Sequence, residues 1–290
     1  MNLAKLAIGT AQLNNIYGYN NKRIKLNKKI FFEIVKLSQK NKINLYDTAE
    51  GYNNHRVLAS ILGKNDKIIS KIIYDNKIDY QSEIINEKIN KILEELNLKK
   101  IDGLLIHNTN YIRHNKFKKF FQNLKKKSDK IKKLGFSCYN ISDIEYLVKN
   151  FKFQILQFPF NVFDQRLARE TKIIQMLKSK KIEIHIRSIF LQGVLLNEDI
   201  KNHKYFKKWT KFFDKFELFK RSNKLNNIET CIFFLKQHNF YDRVVVGLDN
   251  INHFKELLSV LKSKNKKKKY NFKKFSTNEK KLILPNLWKI

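Results

Sequence analysis

The chain has 290 residues, 42% hydrophobic and 13% aromatic, with two cysteines and a formal net charge of +34. That suffices for one large α/β domain with a substantial core, and two cysteines exclude a disulfide framework, so a reducing, cytoplasmic setting is expected with neither a membrane span nor a signal peptide. The charge does not imply a specific nucleic-acid partner: only eight of the sixty basic residues are Arg, the residue base readers favour for its bidentate fork, and the lysines are scattered along a chain rich in Asn and Ile.

In chain order, short apolar runs alternate with longer stretches of helical period. The strand candidates are 6–10, 43–47, 67–72, 101–107, 131–137, 153–158, 182–188 and 243–247, rich in Ile, Val, Leu and Phe. Between the third and fourth, Ile84, Ile85, Ile89, Ile92, Leu93 and Leu96 recur at helical spacing. Ser142 with Glu145 three residues on has the capping-box pattern for a helix over 140–150. The longest interval between strands, 188 to 243, holds an aromatic, basic stretch read either as an elaborated βα loop around 189–225 that walls a pocket, or as a helix packed on the barrel. A helix near 227–238 follows. The lysine-rich "SKNKKKKYNFKK" at 263–274 reads as a solvated connector to a C-terminal tail, 264–290.

Eight strands alternating with helices in one domain of residues 1–290 give an α/β chain and, specifically, a (β/α)8 TIM barrel. A doubly wound sheet is disfavoured because "IGTAQLNNIYG" is not the G-x-G-x-x-G turn that fold places after its first strand. A barrel gathers chemistry where its strands end. Those ends carry Gly9-Thr10, Asp47, Lys71, His107, Ser137, Gln157, Arg187-Ser188 and Gly247, with Tyr52 on the loop after the second strand. Four titratable groups on one rim are costly to desolvate unless they pair and act. A phenol with a pKa of roughly 10 is a poor acid at neutral pH. A lysine beside it favours the phenolate, a carboxylate keeps that lysine charged, and a histidine can orient a carbonyl. A carbonyl protonated in this way also needs a hydride, which implies a nicotinamide cofactor. No spacing suggests a metal site.

"YDTAEGY", "IISK" and "GLLIH" resemble the aldo-keto reductases, and the likeness runs over nearly the whole chain. "KIKKLGFSCYN", "LQFPFNVFDQR", "IEIHIRSIFLQGVLL" and "VVVGLDNINHFKEL" are similar to later segments of that family. The last two, with "LPNLW", look most like a bacterial branch often found near surface-polysaccharide genes. The resemblance implies Tyr52 as proton donor, Lys71 as its partner, Asp47 as the anchor of Lys71 and His107 as the carbonyl-orienting group. It implies NADP(H) or NAD(H), with Ser137 and Gln157 on the carboxamide and Arg187 where many members stack a tyrosine on the nicotinamide. Gly9, Thr10 and Ser188 also line the cofactor, and Gly247, Asp249 and His253 fall at the adenosine phosphates.

The expected activity is NAD(P)-dependent reduction of a small-molecule aldehyde or ketone, possibly sugar-derived, with a non-catalytic nicotinamide-binding module as the alternative. That alternative comes from the loop after Tyr52, where the family's Gly-x-Ser-Glu is replaced by Asn53-Asn54-His55-Arg56. Cys138 stands where an Asn is expected after Ser137. Asp249 disfavours a 2′-phosphate. His114, His185, His203 and His238 are expected to pack or to face solvent, and Cys231 to lie in the core. Oligomeric state is not legible.

Overall fold

A computed structural model describes residues 2–15, 26–75, 77, 81–127, 129–263 and 269–289. Part of the loop after the first strand and the lysine run 264–268 lie outside the described residues. The strands are β1 (Leu6–Gly9), β2 (Leu45–Asp47), β3 (Lys67–Ile72), β4 (Gly103–Ile106), β5 (Leu134–Ser137), β6 (Ile155–Pro159), β7 (Glu183–Arg187) and β8 (Arg243–Gly247). They pair in parallel in sequence order, and β8 closes on β1 through Leu6 opposite Val244 and Gly9 opposite Gly247. The fold is a (β/α)8 barrel. Each strand is flanked by helices, so its apolar run is buried on both faces, which is why the strands read as continuous rather than alternating hydrophobic segments.

The helices are α1 (Lys28–Lys40), α2 (His55–Ala59), α3 (Ser82–Glu95), α4 (Asn115–Lys125), α5 (Ile141–Asn150), α6 (Arg166–Arg169), α7 (Thr171–Ser179), α8 (Thr210–Ser222), α9 (Asn227–Lys236), α10 (Ile251–Lys262) and α11 (Lys280–Ile283). In α3 the periodic Ile85, Ile89, Ile92 and Leu93 are buried against the strands. Inside the barrel, Ala7, Leu45, Ile69, Leu105, Ile155 and Val245 form a separate apolar layer. β5 contributes Gly135 there, where an added Cβ would lie 2.1 Å from the Ile155 carbonyl oxygen and 2.7 Å from Leu105.

Two expectations need correction, and a third divided reading resolves. Asn140, in extended conformation, is the N-cap residue of α5, and Ser142 lies inside the first turn. The carboxylate of Asp143 gathers Thr109 Oγ1 at 2.7 Å, Arg113 at 2.9 Å and Asn140 Nδ2 at 3.3 Å. A full capping box occurs instead at α9, between Asn226 and Glu229. The interval after β7 satisfies both of its readings. It begins with short 3-10 turns over Leu191–Leu196, Ile200–Asn202 and Lys207–Trp209, of which the first walls the cleft through Gln192, Gly193 and Leu196, and continues into α8 with Phe213, Phe216 and Phe219 buried. Finally, the stretch 270–275 is not solvated. Tyr270, Phe272 and Phe275 are buried, with Phe275 packing on Phe216 and Phe219 at 5.1 Å in each case. The lysines between them mask an aromatic stripe.

His185 and Cys231 are buried as expected, and His238 packs edge-on against Phe160. Among the described residues no helix is long and apolar enough to cross a membrane.

Candidate active site

Side chains alternate along a strand, so each strand sends its last inward residue to the same end of the barrel. Asp47 from β2, Lys71 from β3, Gln157 from β6 and Arg187 from β7 line one cleft there, with Gly9, Gly247, Thr10, His107 and Ser188 at its rim. Tyr52, Asp249 and His253 join them from loops and the start of α10. Ser137 is the exception among the expected residues. It is buried next to the cleft, paired in register with Gln157, which lines it.

The floor is an ion pair with few escapes. Lys71, 2% exposed, donates from Nζ to Asp47 Oδ1 and, at 2.8 Å, to the Thr48 carbonyl. Burial pushes the Lys71 pKa down, Asp47 pushes it up, and the Arg187 guanidinium adds to the lowering. Asp47 also accepts from Gln157 Nε2 at 2.8 Å, so its carboxylate is fixed from two sides. His107 is pushed down to about 4, first by burial and then by the charges of Lys71 and Arg187. It is therefore neutral near pH 7, with one N–H to donate.

Tyr52 ends a 3-10 turn, Glu50–Tyr52. Its ring lies with its centroid 5.7 Å from Lys71 Nζ and 6.1 Å from the His107 ring, edge-on at 85°. The altered sequence after it rebuilds the turn. Asn53 takes a left-handed conformation, with φ 49°, which Asn tolerates better than most residues. Asn54 is buried, accepts from Thr48 Oγ1 at 2.9 Å and donates to the Thr10 carbonyl at 2.8 Å. His55 is buried between Ser70, 3.0 Å away on β3, and Glu95, 3.2 Å away at the end of α3. The turn is thus fastened to β1, β2, β3 and α3.

Several cleft residues escaped sequence reasoning. Tyr139, two residues past Ser137, stacks on Arg187 at 4.2 Å. Gln12, Phe190, Gln192, Leu196 and Ile228 also face the cleft. The only available signal was position after a strand end, which fits Tyr139 and Gln12. Ile228 comes from the first turn of α9, and Phe190, Gln192 and Leu196 depend on how the loop after β7 turns, through left-handed residues Ser188, Leu191 and Gln192 followed by Gly193 at φ 93°. Backbone held in such conformations clusters at functional sites.

The sequence matches the model of the Aldo/keto reductase family over residues 5–276. The chain belongs to that family. Among solved structures, the glycerol dehydrogenase AKR11B4 from Gluconobacter oxydans superposes with a TM-score of 0.67 at 16% identity, covering 90% of this chain and 88% of that one. The aldo-keto reductase AKR11C1 from Bacillus halodurans, in its holo form, does so with a TM-score of 0.69, again at 16% identity and 90% and 88% coverage. At such identity these likenesses speak to the fold. No curated protein matches the sequence. As an aldo/keto reductase the chain is an oxidoreductase of small-molecule carbonyls, in a family that generally uses NAD(P)H. Among the described residues no cluster of His, Cys, Asp and Glu could hold a metal ion.

Buried polar atoms of this aldo/keto reductase fit the carboxamide end of a nicotinamide. Gln157 Oε1 and Ser137 Oγ are both buried without a hydrogen-bond partner among the described residues. One acceptor and one hydroxyl on adjacent strands match a primary amide, which offers an NH2 and a carbonyl. Cys138, at the place of the expected Asn, is wholly buried with its thiol pKa pushed up by burial, and contributes only its carbonyl, 3.4 Å from Arg187. One face of the Arg187 guanidinium is already taken by Tyr139. At the other end of the cleft, Asp249 and His253 pair at 2.5 Å, and that bond raises the His253 pKa.

Proposed function

We propose that this aldo/keto reductase is an NAD(P)-dependent reductase of an aldehyde or ketone, in which Tyr52 hands a proton to the carbonyl oxygen. The observation that carries this reading is the placement of the Tyr52 ring between Lys71 and His107 despite the altered turn. Gln157 Oε1 and Ser137 Oγ would hold the carboxamide, Arg187 and Ser188 would flank the ring, and Gly9, Thr10, Gly247, Asp249 and His253 would border the rest of the dinucleotide. When bound, the nicotinamide supplies the hydride.

The protein's own part is electrostatic. Asp47 keeps Lys71 cationic in a buried place, and that cation favours the phenolate left when Tyr52 gives up its proton. Neutral His107 donates to the carbonyl oxygen and sets its direction toward Tyr52 without competing as an acid. Gln157 ties these groups to the cofactor end, because its Nε2 holds Asp47 while its Oε1 is left for the carboxamide. The apolar wall of Phe190, Leu196 and Ile228 excludes water from the reacting oxygen.

The test is a fluorescence titration of the full chain with NADH and NADPH in parallel, at moderate salt so that +34 of charge cannot imitate specificity. Saturable micromolar binding of either supports the reading and ranks the cofactors. Binding of neither removes it. The narrower placement, a sugar-derived carbonyl, is examined by including aldoses and keto sugars in the substrate panel.

A further inference from the structure

The opposite end of the barrel also has a polar cavity, which carbonyl chemistry does not use. It measures about 280 Å³, many times the roughly 30 Å³ that one water occupies in the liquid. Leu45, Ile69 and Ile155 of the interior apolar layer form its roof and part it from the catalytic floor. Its walls are Lys67, Lys133, Arg243, Asp102, Glu183 and His185, together with Lys132 at the mouth.

The charges there do not cancel. Lys132 pairs with Asp102 at 2.8 Å and Lys133 with Glu183 at 2.5 Å. Lys67 and Arg243 have no carboxylate partner among the described residues, and Arg243 donates to the Ala4 carbonyl. Two cationic side chains therefore stand in excess. His185 is 1% exposed and supplies a different group. Its Nε2 lies 3.1 Å from Glu183 Oε2. Glu183 is held down at about 2, chiefly by that bond and by Lys133, so it is ionised and accepts the Nε2 proton. A neutral His185 bonded in this way leaves Nδ1 as an acceptor, and that atom is buried with no partner among the described residues.

A ligand complementary to this cavity carries negative charge for Lys67 and Arg243 and also offers a hydroxyl to His185 Nδ1. We propose that the N-terminal end of the barrel is a second small-molecule site, specific for a protonated oxyanion of the hydrogen-phosphate type. The group is inorganic hydrogen phosphate, because near pH 7.5 a phosphate monoester is mainly a dianion with no proton left on its phosphate oxygens. Near pH 7.5 both hydrogen phosphate and sulfate are dianions of similar shape, but only hydrogen phosphate has a proton to give. Selectivity for phosphate over sulfate is thus the signature of His185, whereas cationic attraction alone binds both.

The experiment is calorimetric titration of the full chain at constant ionic strength with inorganic phosphate, sulfate and glycerol 3-phosphate. Wild type should bind phosphate saturably and about tenfold more tightly than sulfate, the scale of one hydrogen bond to a charged group. Lys67→Met, at an exposed position, should weaken phosphate and sulfate by the same factor. His185→Leu should erase the preference and leave two equally weak ligands. Glycerol 3-phosphate, mainly a dianion with no phosphate proton near pH 7.5, should bind no more tightly than sulfate, and tighter binding of it than of phosphate would overturn the proposal. Equal phosphate and sulfate affinities in wild type, no saturation, or phosphate binding unchanged by Lys67→Met would overturn the proposal, the last placing the anion at the catalytic end. Should His185→Leu fail to fold by circular dichroism, the wild-type ratio and Lys67→Met still decide.

Discussion

Lys71 and Asp47 form a buried ion pair at the floor of the cleft, with side chains 2% and 6% exposed. Everything polar in the cleft is arranged around it. Tyr52 lies over the lysine, Gln157 holds the carboxylate, and His107 is kept neutral first by burial and then by the lysine's charge. Such a pair contributes little net stability while intact, but removing one partner strands the other in a dry site.

Lys71→Met should therefore hurt twice. It leaves Asp47 uncompensated, at a cost of about 3–5 kcal/mol in a urea melt, and it removes the cation that favours the Tyr52 phenolate. Lys71→Met with Asp47→Asn should recover much of the stability and none of the turnover. Equal stability of single and double variants would contradict the description of the pair.

The pH dependence of stability should carry the mark of His107. Its folded pKa, about 4, lies below the roughly 6.5 of an unfolded histidine. Between these values the unfolded chain binds the extra proton, so stability rises with pH across the window and falls as pH drops from 6.5 toward 4. The contribution is at most about 3 kcal/mol. His107→Gln should flatten that slope relative to wild type in denaturant melts from pH 4 to 7, and a parallel pair of curves would refute it.

Asn54 and His55 build the turn that follows Tyr52. Asn54→Ala removes two buried hydrogen bonds, to Thr48 and Thr10, and should cost about 1–3 kcal/mol. Because the same bonds hold the turn under Tyr52, kcat should fall at least tenfold while cofactor affinity changes little, as read by steady-state kinetics beside the nucleotide titration. Loss of affinity with kcat intact would instead place Asn54 in the cofactor groove.

Two glycines should respond differently to alanine. Gly135→Ala pushes a methyl into the Ile155 backbone and should destabilise by about 3 kcal/mol or more. Gly247→Ala meets only the end of the flexible Gln12 side chain, at 2.8 Å. It should leave the melting temperature within a few degrees of wild type while weakening nucleotide binding, because Gly247 and Gln12 both border the cleft. Thermal melts of the two variants side by side check the contrast.

The barrel was legible because parallel strands sheathed by helices are apolar on both faces, so all eight stood out as apolar runs, most of them with a polar residue at or beside the end. Asp47, Lys71, His107 and Gln157 could be placed in the cleft by that ending alone. Loop conformation was not legible. Phe190, Gln192 and Leu196 enter the cleft through left-handed residues for which the sequence offers only Gly193 as a cue. The buried aromatic stripe of Tyr270, Phe272 and Phe275 was hidden among lysines, whose charged heads stay in water whatever lies beside them. The turn after Tyr52 looked damaged because the support given by Asn54 and His55 comes from β1, β3 and α3, distant in sequence.

Tyr52 gives the proton in the proposed reaction, so removing its hydroxyl alone should remove the proton donor and leave the rest of the cleft in place. Wild type and Tyr52→Phe are compared for NAD(P)H consumption against a panel of aldehydes, ketones and sugars, with nucleotide affinity measured on both. The account predicts saturable turnover in wild type, a loss of about 10²–10⁴-fold in kcat in the variant, and the same nucleotide Kd within a factor of two. Turnover undiminished in Tyr52→Phe would contradict it.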